Sequence, residues 1–491
     1  MVGSSQGGGA EIQPSVIDTI LFRAVQQPHR PAIGTSAGVV SFAQLAAGIT
    51  AAALRCERMG LRPGGVVALL IGNPTWHICL IAALYRLGIP SVSISANDAA
   101  SLAAIDVAGV LHDDAPPNGY DGRTVLVDAG WFAGEPVSAR LAETPFGWND
   151  LCALMLSSGT TGRPKAIAFS PRIMWHRQTT LSLAGRFAAS ERVFCGPQLR
   201  SQFGALIAFS ALAFGKMVCF ASSATESLSA ISFFKVDLAF LSVQQLGQAA
   251  DLMRSRHGVA LDLREVQTGG ALISEALLAR ARAALPCGIT NHYGSTEAGS
   301  VAIASVEQLG SLLSQGAVGF VAPWASVEIC DESGQPAPSG RDGEIWVRSL
   351  SVAPEYQPGM TQVAARGPFY PGDVGRLARD GMLSIVGRTS EVLNLGGNKI
   401  APDRVEDVIL KCRGVKDAGV VVVEFNTTLP QVWVAVVSDG TADAAEIARR
   451  CGEVSRLTTP AAVKIVDAIP RNSMGKIMRE DLRRLLTQGK S

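Results

Sequence analysis

The stretch "LSSGTTGRPKA", residues 156–166, gathers hydroxyl side chains, glycines and one lysine into a short segment. Such a set suits a phosphate. Glycines let successive backbone N–H groups turn inward around an anion, hydroxyls add donors, and a lysine neutralises charge. The candidates are Ser157, Ser158, Gly159, Thr160, Thr161, Gly162 and Lys165. The apolar run "DLCALML", residues 150–156, reads as a buried strand feeding this loop. It is not a Walker loop, which needs Gly directly before the Lys and Ser or Thr after it. Here Pro164 precedes Lys165 and Ala166 follows. An NTPase that transfers the γ-phosphate is therefore the remote alternative, and pyrophosphate as product would set it aside.

The order [ST]-S-G-[ST]-T-G-x-P-K resembles the signature loop of the adenylate-forming superfamily. That family includes acyl-CoA synthetases, aryl-CoA ligases, luciferases and peptide-synthetase adenylation domains. Further segments resemble it in the same order. "TGGALIS" (268–274) is similar to the family's Gly-Gly-Ala segment, and "NHYGSTEAG" (291–299) to its N-x-Y-G-x-T-E. "FYPGDVG" (369–375) is similar to Y-x-x-G-D. "GRTSEVLNLGGNKIAPDRVE" (387–406) and "PRNSMGKIMRE" (470–480) resemble the two C-terminal motifs. The likeness covers nearly the whole chain.

The resemblance implies an AMP-forming acid–CoA ligase, acting on a small-molecule carboxylic acid with ATP, Mg²⁺ and coenzyme A. The 157–165 loop would hold the β and γ phosphates. Gly270 and Ala271 would pass between adenine and the acyl group. Tyr293, followed by Gly294, would stack on adenine, and Asn291 would meet its amino edge. Thr296 would bond the α-phosphate, and Glu297 would ligate Mg²⁺. Asp373 would hold the ribose hydroxyls, with Arg388 near ribose and phosphate. Lys476 would reach the forming acyl phosphate. Gly396, Gly397 and Lys399 would border the tunnel for the pantetheine of CoA. A carrier-protein thiol or an amine is the alternative acceptor.

The chain departs from the family pattern at several points. Ser390 stands where the hinge usually has Asp or Lys. "PQLRSQFG" (197–204) lacks the usual P-[LF]-F-H histidine and carries Arg200 and Gln202. Ala166 replaces a common Gly. No acidic residue falls between Gly196 and Phe214 to pair an α-amine, so an amino-acid substrate is disfavoured. The apolar residues around 203–214 favour an apolar acyl or aryl acid instead.

These groups need a scaffold. The 491 residues are too many for one ordinary core, and 47% are apolar. "GGVVALLIG" (64–72), "PTWHICLIAALYRLG" (74–88) and "PSVSIS" (90–95) read as strand, helix, strand, hence a parallel sheet. The pattern recurs at "KMVCFAS", "VDLAFLS" and "LREVQTGG". From about 317, short alternating runs between Gly, Pro and Asp predict antiparallel strands. The expected fold is α/β. A large N-terminal adenylation domain, 1–389, would have parallel sheets with helices plus a small β-barrel-like subdomain. A small mobile α+β C-terminal domain, 390–491, would follow, with helices at 402–412 and 443–457 and strands at 418–424 and 431–437.

Lys plus Arg total 43 and Asp plus Glu 42, a balance that argues against a broad nucleic-acid surface. The nine cysteines form no CxxC pair, which favours reduced thiols and a cytoplasmic location. "ALIAFSALAFGKMVCFA", interrupted by Gly215 and Lys216, reads as a buried helix and strand rather than a membrane span. The first ten residues lack the pattern of a signal peptide. Oligomeric state is not legible.

Overall fold

The computed structural model describes residues 13–96, 98–133, 146–157, 165–255, 261–331, 333–364, 367–389, 393–395, 398–400, 402–423, 431–455, 460, 462–471 and 477–487. The first expected unit forms as strand Val66–Leu70, helix Pro74–Arg86 and strand Ser91–Ser93, with the strands parallel. Asn73 caps the helix by accepting from Thr75 and Trp76 N–H, and Pro74 takes the first turn, where a missing N–H costs nothing. Gly88, at φ +67°, ends it in a conformation that other residues disfavour.

Two sheets carry the large domain. One has six strands, ordered Thr124–Leu126, Val107–His112, Val66–Leu70, Ser91–Ser93, Ala153–Ser157 and Lys165–Phe169. The last pair is antiparallel, in register from Ala153 opposite Phe169 to Ser157 opposite Lys165. The strands on either side of the expected phosphate loop are thus neighbours in the sheet. The second sheet has 13 strands. Its parallel centre includes Met217–Cys219, Arg192–Cys195, Leu238–Ser242, Glu265–Gly269 and Gly288–Ser295. The expected helix and strand near 205 are Gln202–Ala213 and Met217–Cys219, both buried.

From Gly299 the same sheet continues antiparallel. Val301, Val318, Ile329, Ile345, Val347, Leu383 and Ile385, from five of these strands, share one core. Residues of Gly299–Ser305 and of Ala325–Cys330 meet in it although the two strands are far apart in sheet order. The strip therefore folds around its own interior, the barrel-like part of the expectation.

Residues 402–487 build a three-stranded sheet, Val415–Val423, Gln431–Ser438 and Ala462–Ile465. Alternate side chains enter opposite cores, as a strand's period of two requires. Val420, Val434 and Val436 pack with Val405, Ile409 and Ile447, while Val421, Trp433 and Ala435 pack with Leu482 and Leu486. The helices are slightly shorter than expected, Pro402–Ile409 and Ala444–Ser455. Ser390, the expected hinge, lies outside the described residues, and Thr389 before it donates its N–H to Gly372 O at 2.9 Å. Within the described residues no helix is long and apolar enough to cross a membrane.

Candidate active site

Gly270, Ala271, Asn291, Tyr293, Gly294, Asp373 and Arg388 line one cavity of about 980 Å³. The topology explains why they meet. Tyr293 and Gly294 lie near the end of the strand Gly288–Ser295, Asn291 midway along it, and Gly270 follows its parallel neighbour Glu265–Gly269. Open parallel sheets bind ligands beyond the carboxyl ends of their strands. Asp373 and Arg388 face each other across the antiparallel pair Asp373–Leu377 and Met382–Arg388. Gly270 has φ +90°, a conformation that favours glycine and keeps the backbone bare beside the cavity.

Asp373 is only 6% exposed and is held from two sides. Tyr293 Oη donates to Oδ2 at 2.7 Å, and Arg388 Nε lies 3.1 Å from Oδ1. Burial, then the Asp373 charge, pushes the Tyr293 phenol well above its usual range, so it stays a donor. Asn291 donates its side-chain amide to Val318 O at 2.8 Å. Its amide oxygen is then the end left to accept from an adenine amino group.

Thr296 and Glu297 lie between the strands Gly288–Ser295 and Gly299–Ser305, which pair antiparallel. Ser295 Oγ accepts from Ala298 N–H at 3.1 Å, and Gly299 has φ +75°. A side chain at Gly294 would run into the Gly299 carbonyl, so this turn requires the glycine. Among the described residues no three His, Cys, Asp or Glu groups cluster as a metal site. A half-buried Glu297 at a braced turn nonetheless fits Mg²⁺, which usually takes one or two carboxylates and completes its shell with phosphates and water.

Ser157 and Lys165 are cross-strand neighbours. Ser158, Gly159, Thr160, Thr161 and Gly162 lie outside the described residues. Lys165 Nζ sits 3.0 Å from Glu355 Oε2, both about half exposed. A phosphate bound by Lys165 would compete with that carboxylate. Exposed pairs are worth about 0–1 kcal/mol. Glu355→Gln is therefore expected to lower the apparent KM for ATP by about 2- to 5-fold, measured by steady-state kinetics. A raised KM would count against phosphate binding by Lys165.

Lys476, Gly396 and Gly397 also lie outside the described residues. Residues on either side of Lys476, among them Ile469, Arg471, Ile477 and Arg479, line the same cavity as Tyr293 and Asp373. Lys399 stands on the strand Asn398–Ile400, which pairs antiparallel with Leu393–Leu395.

Sequence reasoning passed over three features. Arg177, on the helix Pro171–Ala184, is buried and donates to the carbonyls of Thr296 and Glu297, each at 2.7 Å. Nothing in its local sequence marks it. Glu355 likewise stands in an unremarkable "APEYQ". His292 was inside a recognised motif, and it belongs to a buried polar chain. Its Nε2 meets Gln267 Oε1 at 2.9 Å, and Gln267 Nε2 donates to Glu265 Oε1 at 3.2 Å. Burial lowers the His292 pKa to about 4, so the ring is neutral near pH 7. Nε2 is then the protonated nitrogen, because the Gln267 oxygen can only accept.

The chain is 28% identical to a 2-succinylbenzoate–CoA ligase of Geobacillus kaustophilus, over 94% of this chain and 96% of that protein. It is 27% identical to a feruloyl-CoA synthase of an Amycolatopsis species, over 94% of this chain and 97% of that one. The solved structure of an amide bond synthetase from Marinactinospora thermotolerans has the same fold, with TM-score 0.80 and 24% identity, covering 96% of this chain and 99% of that one. The AMP-binding enzyme C-terminal domain matches residues 404–476. The AMP-binding enzyme family itself matches residues 21–357, most of the chain, and to that family this protein belongs.

Proposed function

We propose that this protein is an ATP-dependent acid–CoA ligase acting on an apolar acyl or aryl acid. The observation that carries the reading is the convergence of Tyr293, Asn291, Asp373 and Arg388 on one cavity that the C-terminal unit also lines. The ligase names of the two near-full-length relatives support it. Both of the acids those names give contain an aromatic ring.

In the first half-reaction, a carboxylate oxygen attacks the α-phosphorus of ATP and the bond to pyrophosphate breaks. Asn291 and Tyr293 hold adenine, and Asp373 accepts from both ribose hydroxyls. The 157–165 loop holds the outer phosphates, Thr296 bonds the α-phosphate, and Arg388 and Lys476 offset the charge that builds there. When bound at Glu297, Mg²⁺ would supply charge neutralisation on the phosphates. In the second half-reaction, the CoA thiol, losing its proton, attacks the acyl carbonyl carbon and AMP departs. The division into a large unit, 1–389, and a small one, 390–491, gives the small unit freedom to exchange Lys476 for the Gly396–Gly397 segment between the two steps.

A screen of carboxylic acids with hydroxylamine, with and without CoA, tests the reading. Acyl-AMP is trapped as a hydroxamate, and CoA should divert it to thioester. A second reading, transfer to an amine, is favoured only by the fold shared with the amide bond synthetase. Gly397→Leu separates the two. It is expected to block thioester formation at least about 10-fold, because a branched side chain fills the space a thin pantetheine needs. Acyl-AMP should still form, with one pyrophosphate released per site. If wild-type protein never consumes CoA with any acid it adenylates, the amine or carrier-protein acceptor replaces CoA.

A further inference from the structure

We propose that Arg177 is a positioning residue for adenylation: its guanidinium fixes the turn that carries Thr296 and Glu297 relative to the strand Lys165–Phe169. This rests on the ligase reading above.

Arg177 is 2% exposed. Its planar fork spans segments distant in sequence. Nε and Nη2 donate to Ser351 O at 3.0 and 2.7 Å, Nη2 also to Glu297 O at 2.7 Å, and Nη1 to Thr296 O at 2.7 Å. The Phe169 ring lies against it, 4.6 Å from its carbon to the centroid. These partners are carbonyls and an aromatic face, not carboxylates. Glu297, although not in hydrogen-bonding contact through its carboxylate, lies near enough for its charge to favour the cation. Burial works the other way and brings the guanidinium down to about 9, still protonated near neutral pH.

A buried charge without a salt-bridge partner is costly, and an apolar side chain of the same volume would fill this space more cheaply. What the guanidinium adds is connection. Phe169 ends the strand that begins at Lys165, and Arg177 lies on the helix that follows. One rigid group therefore joins the strand leaving the phosphate loop to the turn carrying the α-phosphate and metal groups. It also joins both to the segment around Ser351, where Ala353 N–H donates to Glu297 O at 2.8 Å. The carbonyls at 296 and 297 are pinned, which limits the directions their side chains can take. Lysine can substitute only in part, since one ammonium lacks the planar fork that reaches separate carbonyls.

The test uses full-length Arg177→Met and Arg177→Lys, with an acid that the wild-type enzyme adenylates. ATP–pyrophosphate exchange is titrated with Mg²⁺ at saturating ATP, well below each variant's melting temperature. Exchange should fall about 100-fold in the Met variant and about 10-fold in the Lys variant, the scale of a 1 Å misplacement. The half-saturating Mg²⁺ concentration should rise at least about 3-fold in both, because Glu297 is no longer held in place. A purely structural role would lower the melting temperature and leave that concentration unchanged, and this outcome overturns the proposal. If the Met variant does not fold, the Lys variant decides alone. Wild-type protein that adenylates no acid overturns the ligase reading and this role with it. Wild-type exchange with an unchanged Mg²⁺ requirement in the variants overturns only Arg177.

Discussion

Lys476→Ala is expected to reduce acyl-AMP formation by about 100- to 1000-fold, the usual cost of removing one preorganised group from developing charge. Thioester formation from supplied acyl-AMP should stay within a few-fold of wild type. The asymmetry follows from delivery. Lys476 itself is outside the described residues, but both sides of its segment are anchored. Arg471 Nη2 holds Asp417 Oδ1 at 2.7 Å, and Arg471 pairs with Ile477 as an antiparallel bridge. Met478 N–H donates to Pro470 O at 2.8 Å. Beyond it, Arg479 Nη1 meets the buried Glu406 Oε1 at 2.5 Å. Arg479 and Glu406 belong to the two C-terminal motifs, so those motifs meet through a structural ion pair. The two ends of that segment are thus fixed to the small unit, and under the proposed role the lysine serves only the step for which that unit is docked. In the present arrangement Lys411 Nζ reaches Glu275 Oε2 of the large unit at 3.0 Å. Rapid-quench assays of each half-reaction make the measurement. Equal loss in both would assign Lys476 a general structural role.

Asp373→Ala is expected to raise the apparent KM for ATP by about 30- to 1000-fold, the equivalent of roughly 2–4 kcal/mol for a lost pair of charge-assisted bonds. The carboxylate has no freedom to turn away, because Tyr293 and Arg388 hold its two oxygens. That same bracing means the substitution also removes the Tyr293 acceptor, with a stability cost of about 1–3 kcal/mol. Melting temperature and KM must therefore be measured on the same preparation. A lowered melting temperature with unchanged ATP dependence would make Asp373 a structural clamp for Tyr293. A large KM effect in a folded variant supports the ribose role.

Local patterns determined much of this protein from sequence alone. Strand–helix–strand order at 66–93 predicts a parallel pair because apolar runs, a Pro start and a Gly stop are local signals of burial and chain reversal. Gly294 and Gly270 were legible only through the family resemblance, and the structure supplies the physical reason: a tight turn or a bare backbone leaves few alternatives to glycine. Tertiary structure alone decided the side-chain partnerships. Arg177 reaches carbonyls 119, 120 and 174 residues away, Lys165 meets Glu355 across 190, and Tyr293 meets Asp373 across 80. A carbonyl acceptor has no residue type to recognise, and a charged side chain in a short segment looks the same whether it ends in water or in a core. The partner depends on which strands become neighbours and how the antiparallel strip folds back. That outcome is set by the packing of the whole domain, not by the residues on either side of the arginine.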